Sequence, residues 1–185
     1  MERGGESLII VNDHLTMRPL KEEDLQLFWA LAYKDAHPEW KKWDAPYFQH
    51  QALTYDDFIT KVSAQYLEQD DVYGIFANER LIGTVSYYWE HKPSNWLEVG
   101  IIIYDSTLWD KQYGTPCLKA WITHLFDNMS LVRVGFTTWS GNKRMMRLGE
   151  KLGMTLEARL RKCRLYQGEY YDSIRYGVLR EEWSH

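Results

Sequence analysis

The chain has 185 residues, 45% of them hydrophobic, and no Pro/Gly/Ser-rich linker divides it, so we expect one domain over residues 1–185. A formal net charge of −4 with scattered basic residues argues against nucleic acid as a partner. Two cysteines without metal-ligand spacing argue against a disulfide framework or a metal site, and they agree with a reducing, cytoplasmic location. No segment resembles a signal peptide or a membrane span, so we expect a soluble protein.

The N-terminal third predicts one strand, two helices and an irregular aromatic segment between the helices. Leu15 to Arg18 has the pattern of a short strand, and residues 21–24 supply acidic side chains at the start of a helix that is apolar on one face. Residues 37–51 are irregular and aromatic, and a second helix is predicted from about Thr54 to Gln69. The irregular segment is either a wall of a binding site or a well-packed connection, and the sequence leaves both open.

The rest of the chain predicts a sheet interrupted by two helices. Alternating apolar residues predict strands over 72–77, 81–89, 97–104, 133–139, 155–166 and 170–179. Helices are predicted from Pro116 and over 142–152. Together with the N-terminal elements, this order predicts an α/β (α+β) fold with about seven strands and about four helices.

The segment from Leu97 to Leu125 has the layout of a phosphate-binding site. An apolar strand leads through a loop into an amphipathic helix, for which Thr115 is the predicted N-cap and Pro116 the first helical residue. Backbone N–H groups at such a helix start are unpaired and favour anions. A capped helix after a strand is more often plain architecture, so the assignment depends on the residues around it.

Four short motifs follow one another along the chain: Glu98-Val99-Gly100, the loop 109–115, Asn142, and Glu150-Lys151-Leu152-Gly153-Met154. With the element order, they resemble the GNAT superfamily of acyl-CoA-dependent N-acetyltransferases. The similarity is greatest to the Rim-type branch, which holds ribosomal-protein N-terminal acetyltransferases and relatives that acetylate small molecules. The resemblance implies a GNAT-like fold, in which a central, mixed and mostly antiparallel sheet has a splayed central strand pair.

The resemblance also implies acetyl-CoA as the co-substrate. In the family, the pantetheine arm pairs with the backbone of the central strand, and the pyrophosphate lies on a loop with the pattern Arg/Gln-x-x-Gly-x-Gly/Ala. On this chain the loop falls on residues 109–114, where Trp109 replaces Arg/Gln, Gln112 replaces the first Gly and Gly114 matches. The cofactor-binding residues implied in this way are Ile101, Ile102, Ile103, Lys111, Gln112, Tyr113, Gly114, Thr115 and Asn142.

Acetyl transfer needs an uncharged amine, so a base must remove a proton from a group whose pKa is about 8 for a chain terminus or about 10.4 for a lysine-like amine. Glu98 is the candidate base, because a Glu in an apolar strand is costly to bury unpaired; the alternative is a structural ion pair. His91 is a weaker candidate. Relatives often have a Tyr that protonates the departing thiolate where this chain has Gly149, so the candidate acids are water and Tyr113.

Trp40 and Trp43 are the candidate acceptor-binding residues, because aromatic rings stack on cationic amines and acidic residues lie near them in sequence. The acceptor is a protein N-terminus or a small-molecule amine, and the sequence does not rank these. A hypothesis from another class is a non-catalytic CoA- or protein-binding module, which the loop departures and Gly149 favour. The basic run Arg159–Arg164 is interpreted as a solvated strand face. By resemblance, a homodimer is also expected.

Overall fold

The computed structural model describes residues 8–183, apart from the side chain of residue 110. Its strands are β1 (Ile9–Asn12), β2 (Leu15–Pro19), β3 (Val72–Ala77), β4 (Arg80–His91), β5 (Trp96–Ile103), β6 (Arg133–Trp139), β7 (Thr155–Tyr166) and β8 (Glu169–Leu179). They form one eight-stranded sheet in the order β1-β2-β3-β4-β5-β6-β8-β7. Neighbouring strands are antiparallel except β5 and β6, which are parallel.

Helices cover both faces of the sheet. They are α1 (Leu25–Ala32), α2 (Tyr55–Lys61), α3 (Ser63–Glu68), α4 (Gly114–Asn128) and α5 (Lys143–Lys151). Residues of α4 and α5 pack in one hydrophobic cluster, and residues of α1, α2 and α3 pack in a second. Because side chains alternate along a strand, Ile101 and Ile103 of β5 contact the first cluster and Ile102 contacts the second. No helix within residues 8–183 is long and apolar enough to cross a bilayer.

The predicted fold class is confirmed, with two corrections to the number of elements. The sheet has eight strands, because β1 adds a short edge strand beside β2. The turn between them is held by Asn12, whose Oδ1 accepts hydrogen bonds from the backbone N–H groups of His14 (2.9 Å) and Leu15 (3.0 Å). The helix predicted over 54–69 is divided into α2 and α3, because the backbone leaves helical geometry at Val62, where φ is −126°.

The start of α4 is also corrected. The prediction of Thr115 as N-cap and Pro116 as first helical residue is wrong, because Tyr113 is the N-cap and α4 begins at Gly114. The chain turns into the helix at Gln112, which has a left-handed φ of 60°. Pro116 is accommodated within the first turn, since the N–H group that a proline lacks would have no intrahelical acceptor there.

Candidate active site

Strands β5 and β6 separate shortly after they begin to pair. Their parallel register covers only residues 96–98 of β5 and ends at Glu98, which lies opposite Gly135. On its other side, β5 stays paired with β4 as far as Ile103. Backbone groups of residues 99–103 that face β6 therefore have no partner strand, which leaves a V-shaped gap in the sheet.

The gap opens into a cleft with a volume of about 470 Å³. Its walls come from β5, from the loop between α1 and α2, from the loop between β5 and α4, and from α5. The predicted site residues that line it are residues 101–103, residues 112–115, Asn142, Trp40 and Trp43. Glu98 and Lys111 are not among the lining residues. The structure thus brings together most of the predicted cofactor-binding and acceptor-binding positions.

The start of α4 presents backbone donors to this cleft. The first hydrogen bond of the helix runs from the Cys117 N–H group to the Tyr113 carbonyl oxygen (3.2 Å). The N–H groups of Gly114 and Thr115 precede it and have no acceptor within the helix. A Cβ atom on Gly114 would lie 3.2 Å from Leu148 Cδ1, so the small residue lets α4 approach α5 closely. This helix end can hold an anion.

Three basic side chains of α5, which were not among the predicted site residues, also line the cleft. Arg144, Arg147 and Lys151 are three and four residues apart, a spacing that places them along one face of the helix. That spacing, directly after Asn142, was the signal in the sequence. Together with the unpaired edge of β5 and the α4 start, these cations fit a ligand that carries phosphates, as CoA does.

Asn142 caps α5 and holds the loop between α1 and α2. Its Oδ1 accepts a hydrogen bond from the Met145 N–H group (3.0 Å), and its Nδ2 donates to the carbonyl oxygen of Trp43 (3.1 Å). The indole Nε1 of Trp139 donates to the same oxygen (2.8 Å). These hydrogen bonds fix the backbone of the loop between α1 and α2 at the edge of the cleft.

Trp43, Trp109 and Arg144 form a stack that we call the Trp–Arg bridge. The guanidinium carbon of Arg144 lies 4.6 Å from the Trp109 ring centroid and 5.0 Å from that of Trp43. The two indoles contact each other edge to face, with centroids 6.2 Å apart. Trp109 is anchored by its Nε1, which donates to the carbonyl oxygen of Ile103 (2.8 Å). The bridge thus joins three walls of the cleft.

A family model for the acetyltransferase (GNAT) domain matches residues 14–155. The chain belongs to the GNAT family. Its relatives include two proteins of Bacillus subtilis (strain 168). One is YokL, an uncharacterized N-acetyltransferase derived from the SPbeta prophage, which is 22% identical over 173 residues; these cover 92% of this chain and 93% of YokL. YdaF, provisionally named a ribosomal N-acetyltransferase, is 24% identical over 178 residues, which cover 94% of this chain and 95% of YdaF. The predicted family is confirmed, and YdaF supports the Rim-type branch.

Solved structures of GNAT proteins share the fold. A spermidine N-acetyltransferase from Vibrio cholerae, in complex with CoA and spermine, has a TM-score of 0.76 at 19% identity, covering 92% of this chain and 98% of its own. RimL, a ribosomal L7/L12 alpha-N-protein acetyltransferase in complex with CoA, has a TM-score of 0.74 at 16% identity. The match covers 94% of this chain and 98% of the RimL chain. These similarities confirm the predicted GNAT-like architecture.

In this GNAT domain, Glu98 lies where β5 and β6 separate. Its side chain is 3% exposed, and Arg175 Nη1 lies 3.7 Å from its Oε1. The Tyr88 hydroxyl donates a hydrogen bond to Glu98 Oε2 (2.6 Å). Burial, together with the adjacent Glu98 carboxylate, raises the pKa of Tyr88, so this hydroxyl keeps its proton and remains a donor. Glu98 is therefore buried with partners, an arrangement compatible with a base or with a structural ion pair.

Packing from the sheet fills the space next to Gly149, the position of the tyrosine found in many GNAT relatives. A Cβ atom on Gly149 would lie 2.8 Å from Phe136 Cζ and 3.1 Å from Tyr176 Cδ1. These two rings are stacked, with centroids 5.2 Å apart. The chain has no room for a side chain at this position unless the two rings move. Tyr113, the alternative candidate acid, lines the cleft at the start of α4.

His91 and the basic run 159–164 lie mostly at the surface. His91 is exposed at the end of β4, and its Nδ1 is hydrogen-bonded to Ser94 Oγ (2.7 Å). Most of β7, which carries the basic run 159–164, is exposed, in agreement with a solvated strand face.

Among the acidic residues near the aromatic segment, Asp44 lines the cleft, and its Oδ2 lies 3.6 Å from Lys41 Nζ. Within residues 8–183, no group of three or more His, Cys, Asp or Glu side chains is arranged to hold a metal ion.

Proposed function

We propose that this GNAT domain transfers an acetyl group from acetyl-CoA to a primary amine, directly, in a complex that holds both substrates. The observation that carries the proposal is the separation of β5 from β6 immediately after Glu98. It leaves a free strand edge for the pantetheine arm and places a buried carboxylate at the closed end of the same gap. Release of free thiol from acetyl-CoA, measured with a panel of primary amines, tests this. Amine-dependent release supports the proposal, and its absence with every amine contradicts it.

Several groups of the chain are suited to hold acetyl-CoA. The backbone of Ile101, Ile102 and Ile103 can pair with the pantetheine arm as an added strand would. The N–H groups of Gly114 and Thr115 lie at the positive end of α4, which favours the pyrophosphate. Gln112 replaces a glycine of the family loop, but backbone donors do not depend on the side chain.

Binding of acetyl-CoA should stabilise the folded chain. A ligand at about 100 times its Kd adds about 2.7 kcal/mol to the free energy of unfolding. For a chain of this length, that raises the melting temperature by roughly 5–10 °C. Thermal unfolding with and without saturating acetyl-CoA measures the shift. No shift at millimolar acetyl-CoA would exclude the proposed cofactor.

The chemistry can be assigned to groups near the gap. Bound acetyl-CoA supplies the acetyl group as a thioester. Glu98 accepts a proton from the amine, directly or through water, because only the uncharged amine is nucleophilic. A backbone N–H group of residues 101–103 donates to the oxygen that becomes negative during transfer.

Tyr113 has two proposed roles, and one variant separates them. Tyr113→Phe removes only the hydroxyl group. If that group protonates the departing thiolate, kcat should fall by at least tenfold at an unchanged KM for acetyl-CoA, in line with the effects of general acids. If Tyr113 only helps to bind the cofactor, KM should rise at an unchanged kcat. Steady-state kinetics at saturating amine measures both, and wild-type constants would exclude both roles for the Tyr113 hydroxyl.

The acceptor is proposed to be a protein N-terminus or a small-molecule amine. Trp40 and Trp43 form part of the cleft wall. Because the Trp43 ring already contacts the Arg144 guanidinium, Trp40 is the ring proposed to contact a cationic amine. Structures similar to this chain include a spermidine N-acetyltransferase and a ribosomal-protein alpha-N-acetyltransferase. The amine panel therefore includes spermidine, spermine, amino acids, amino sugars and peptides with free N-termini.

A non-catalytic CoA-binding module is the second candidate, favoured by the absence of the family tyrosine at Gly149. It predicts stabilisation by acetyl-CoA without thiol release for any amine.

The cellular location and the oligomeric state are two further proposals. We expect a cytoplasmic location, with which two free cysteines agree, and burial raises the pKa of the Cys117 thiol to about 12, which keeps it unreactive. We also expect a homodimer by resemblance, which light scattering would test.

A further inference from the structure

The position of the Arg144 guanidinium suits it for binding an anion. Its carbon atom lies 4.6 Å from the Trp109 ring centroid and 5.0 Å from that of Trp43, so the groups that it contacts are aromatic rings. A guanidinium that contacts rings and no carboxylate keeps N–H groups that can donate two parallel hydrogen bonds to a phosphate. Among the side chains that the structure describes, no carboxylate lies within ion-pair distance of Arg144. The group is therefore a positioned cation that lines the cleft.

Arg144 also matches a departure of this chain from the family pattern. The loop between β5 and α4 has Trp109 at the position where the family pattern has Arg or Gln, so the cation or amide donor of the pattern is missing at that one position, although Lys111 and Gln112 follow it. The structure shows that the Trp109 ring contacts Arg144, which comes from α5. A positive group is thereby placed beside the loop from a different element.

The location of the Trp–Arg bridge indicates which part of a ligand Arg144 would meet. The indole Nε1 of Trp109 donates a hydrogen bond to the carbonyl oxygen of Ile103, the last residue of β5. Arg144 lines the same cleft as Gly114 and Thr115, whose N–H groups begin α4. The bridge therefore lies where the free edge of β5 ends and the anion-binding helix start is near.

We propose that Arg144, held by Trp109 and Trp43, binds the pyrophosphate of CoA and replaces the missing polar residue at position 109. This inference rests on the proposed function, because it assumes that CoA occupies the cleft. It assigns a phosphate contact to a residue of α5 that the family loop pattern does not include. It also gives Trp109 a role, because loss of its ring would leave the guanidinium without a support.

Calorimetric titration of the Arg144→Gln variant with a series of CoA fragments tests the inference. The series consists of CoA, dephospho-CoA, which lacks the 3′-phosphate, and pantetheine, which lacks all phosphates. We expect the variant to raise the Kd of CoA and of dephospho-CoA equally, by roughly 10- to 100-fold, the usual effect of losing charge-assisted hydrogen bonds. The Kd of pantetheine should not change. Lys143→Gln is the matched control, because it makes the same charge change at an adjacent exposed residue that does not line the cleft.

Three other results for the Arg144→Gln variant would overturn the inference. A loss of affinity for CoA but not for dephospho-CoA would place Arg144 at the 3′-phosphate and overturn the inference. An equal loss for pantetheine would show that Arg144 only covers the cleft, which also overturns it. Wild-type affinity of the variant for all ligands would do the same. No binding of CoA by the unmodified chain would instead contradict the proposed function, so the two failures are distinguishable.

A second variant tests the part played by the tryptophan. Trp109→Leu keeps Arg144 but removes the ring that supports it and the indole bond to Ile103. We expect a loss of affinity for CoA and dephospho-CoA of at least threefold, and a smaller further loss when Arg144→Gln is added than in the wild-type background. Full additivity of the two substitutions would contradict a shared role. The melting temperature of each variant shows that the fold is retained.

Discussion

Replacing Glu98 by Gln should abolish most acetyl transfer while acetyl-CoA binding is retained. The amide has the same shape as the carboxylate and can still accept the hydrogen bond from Tyr88, but it cannot take a proton from the amine. General bases contribute about 10²- to 10⁴-fold, so we expect kcat to fall by that factor. Thermal stabilisation by acetyl-CoA should equal that of the wild type, because Glu98 does not line the cofactor cleft.

Glu90→Gln is the control for this variant. Glu90 is the other carboxylate beside Arg175, with its Oε2 3.9 Å from Arg175 Nη1, and it lies on β4 rather than at the strand separation. The Glu90→Gln variant makes the same charge change next to the same guanidinium. It should leave kcat within a factor of about two to three, because this partly exposed ion pair is of small energy and Glu90 is not at the proposed reaction site. If Glu98→Gln lowers the melting temperature but keeps wild-type kcat, Glu98 is a structural ion-pair residue and the proposed base is wrong.

Restoring the family tyrosine at position 149 should destabilise this chain. Even a Cβ atom there would lie 2.8 Å from Phe136, which is fully buried and stacked on Tyr176. A tyrosine would force both rings and α5 to shift, and overpacking of this kind costs about 1–3 kcal/mol and sometimes more. We therefore expect Gly149→Tyr to lower the melting temperature by roughly 2–12 °C. Differential scanning calorimetry measures the change.

Two companion variants identify the cause of that loss. Gly149→Ala adds only the Cβ atom and should lose less stability, since the higher helix propensity of Ala offsets part of the clash. Phe136→Leu combined with Gly149→Tyr should lose less than the sum of the two single variants, because the smaller side chain makes room. A Gly149→Tyr variant with wild-type stability and higher kcat would show instead that the site accepts the family tyrosine.

The sequence predicted the parts of the site that are local. The apolar strand, the loop and the helix between Leu97 and Leu125 are all present, because alternation and helical spacing are encoded by neighbouring residues. The position of the helix start was wrong by two residues. It depends on the left-handed φ of Gln112, and a glutamine gives little sign of such a conformation.

Features that need distant residues could not be predicted. The Trp–Arg bridge joins residues 43, 109 and 144, which come from three separate segments. The hydrogen bonds from Trp139 and Asn142 to the Trp43 carbonyl group span more than 90 residues of sequence. Likewise, the closed environment of Gly149 is created by side chains of β6 and β8. Composition and spacing record none of these contacts.

The most direct test is amide hydrogen exchange over β5 with and without saturating acetyl-CoA. In the free chain, amides of residues 99–103 that face the gap have no strand partner and should exchange faster than those bonded to β4. If the pantetheine arm pairs with this edge, acetyl-CoA should slow their exchange, and that of Gly114 and Thr115, while amides on the β4 side change little. Unchanged exchange over 99–103 at saturating acetyl-CoA would contradict the account that the separated strands hold the cofactor.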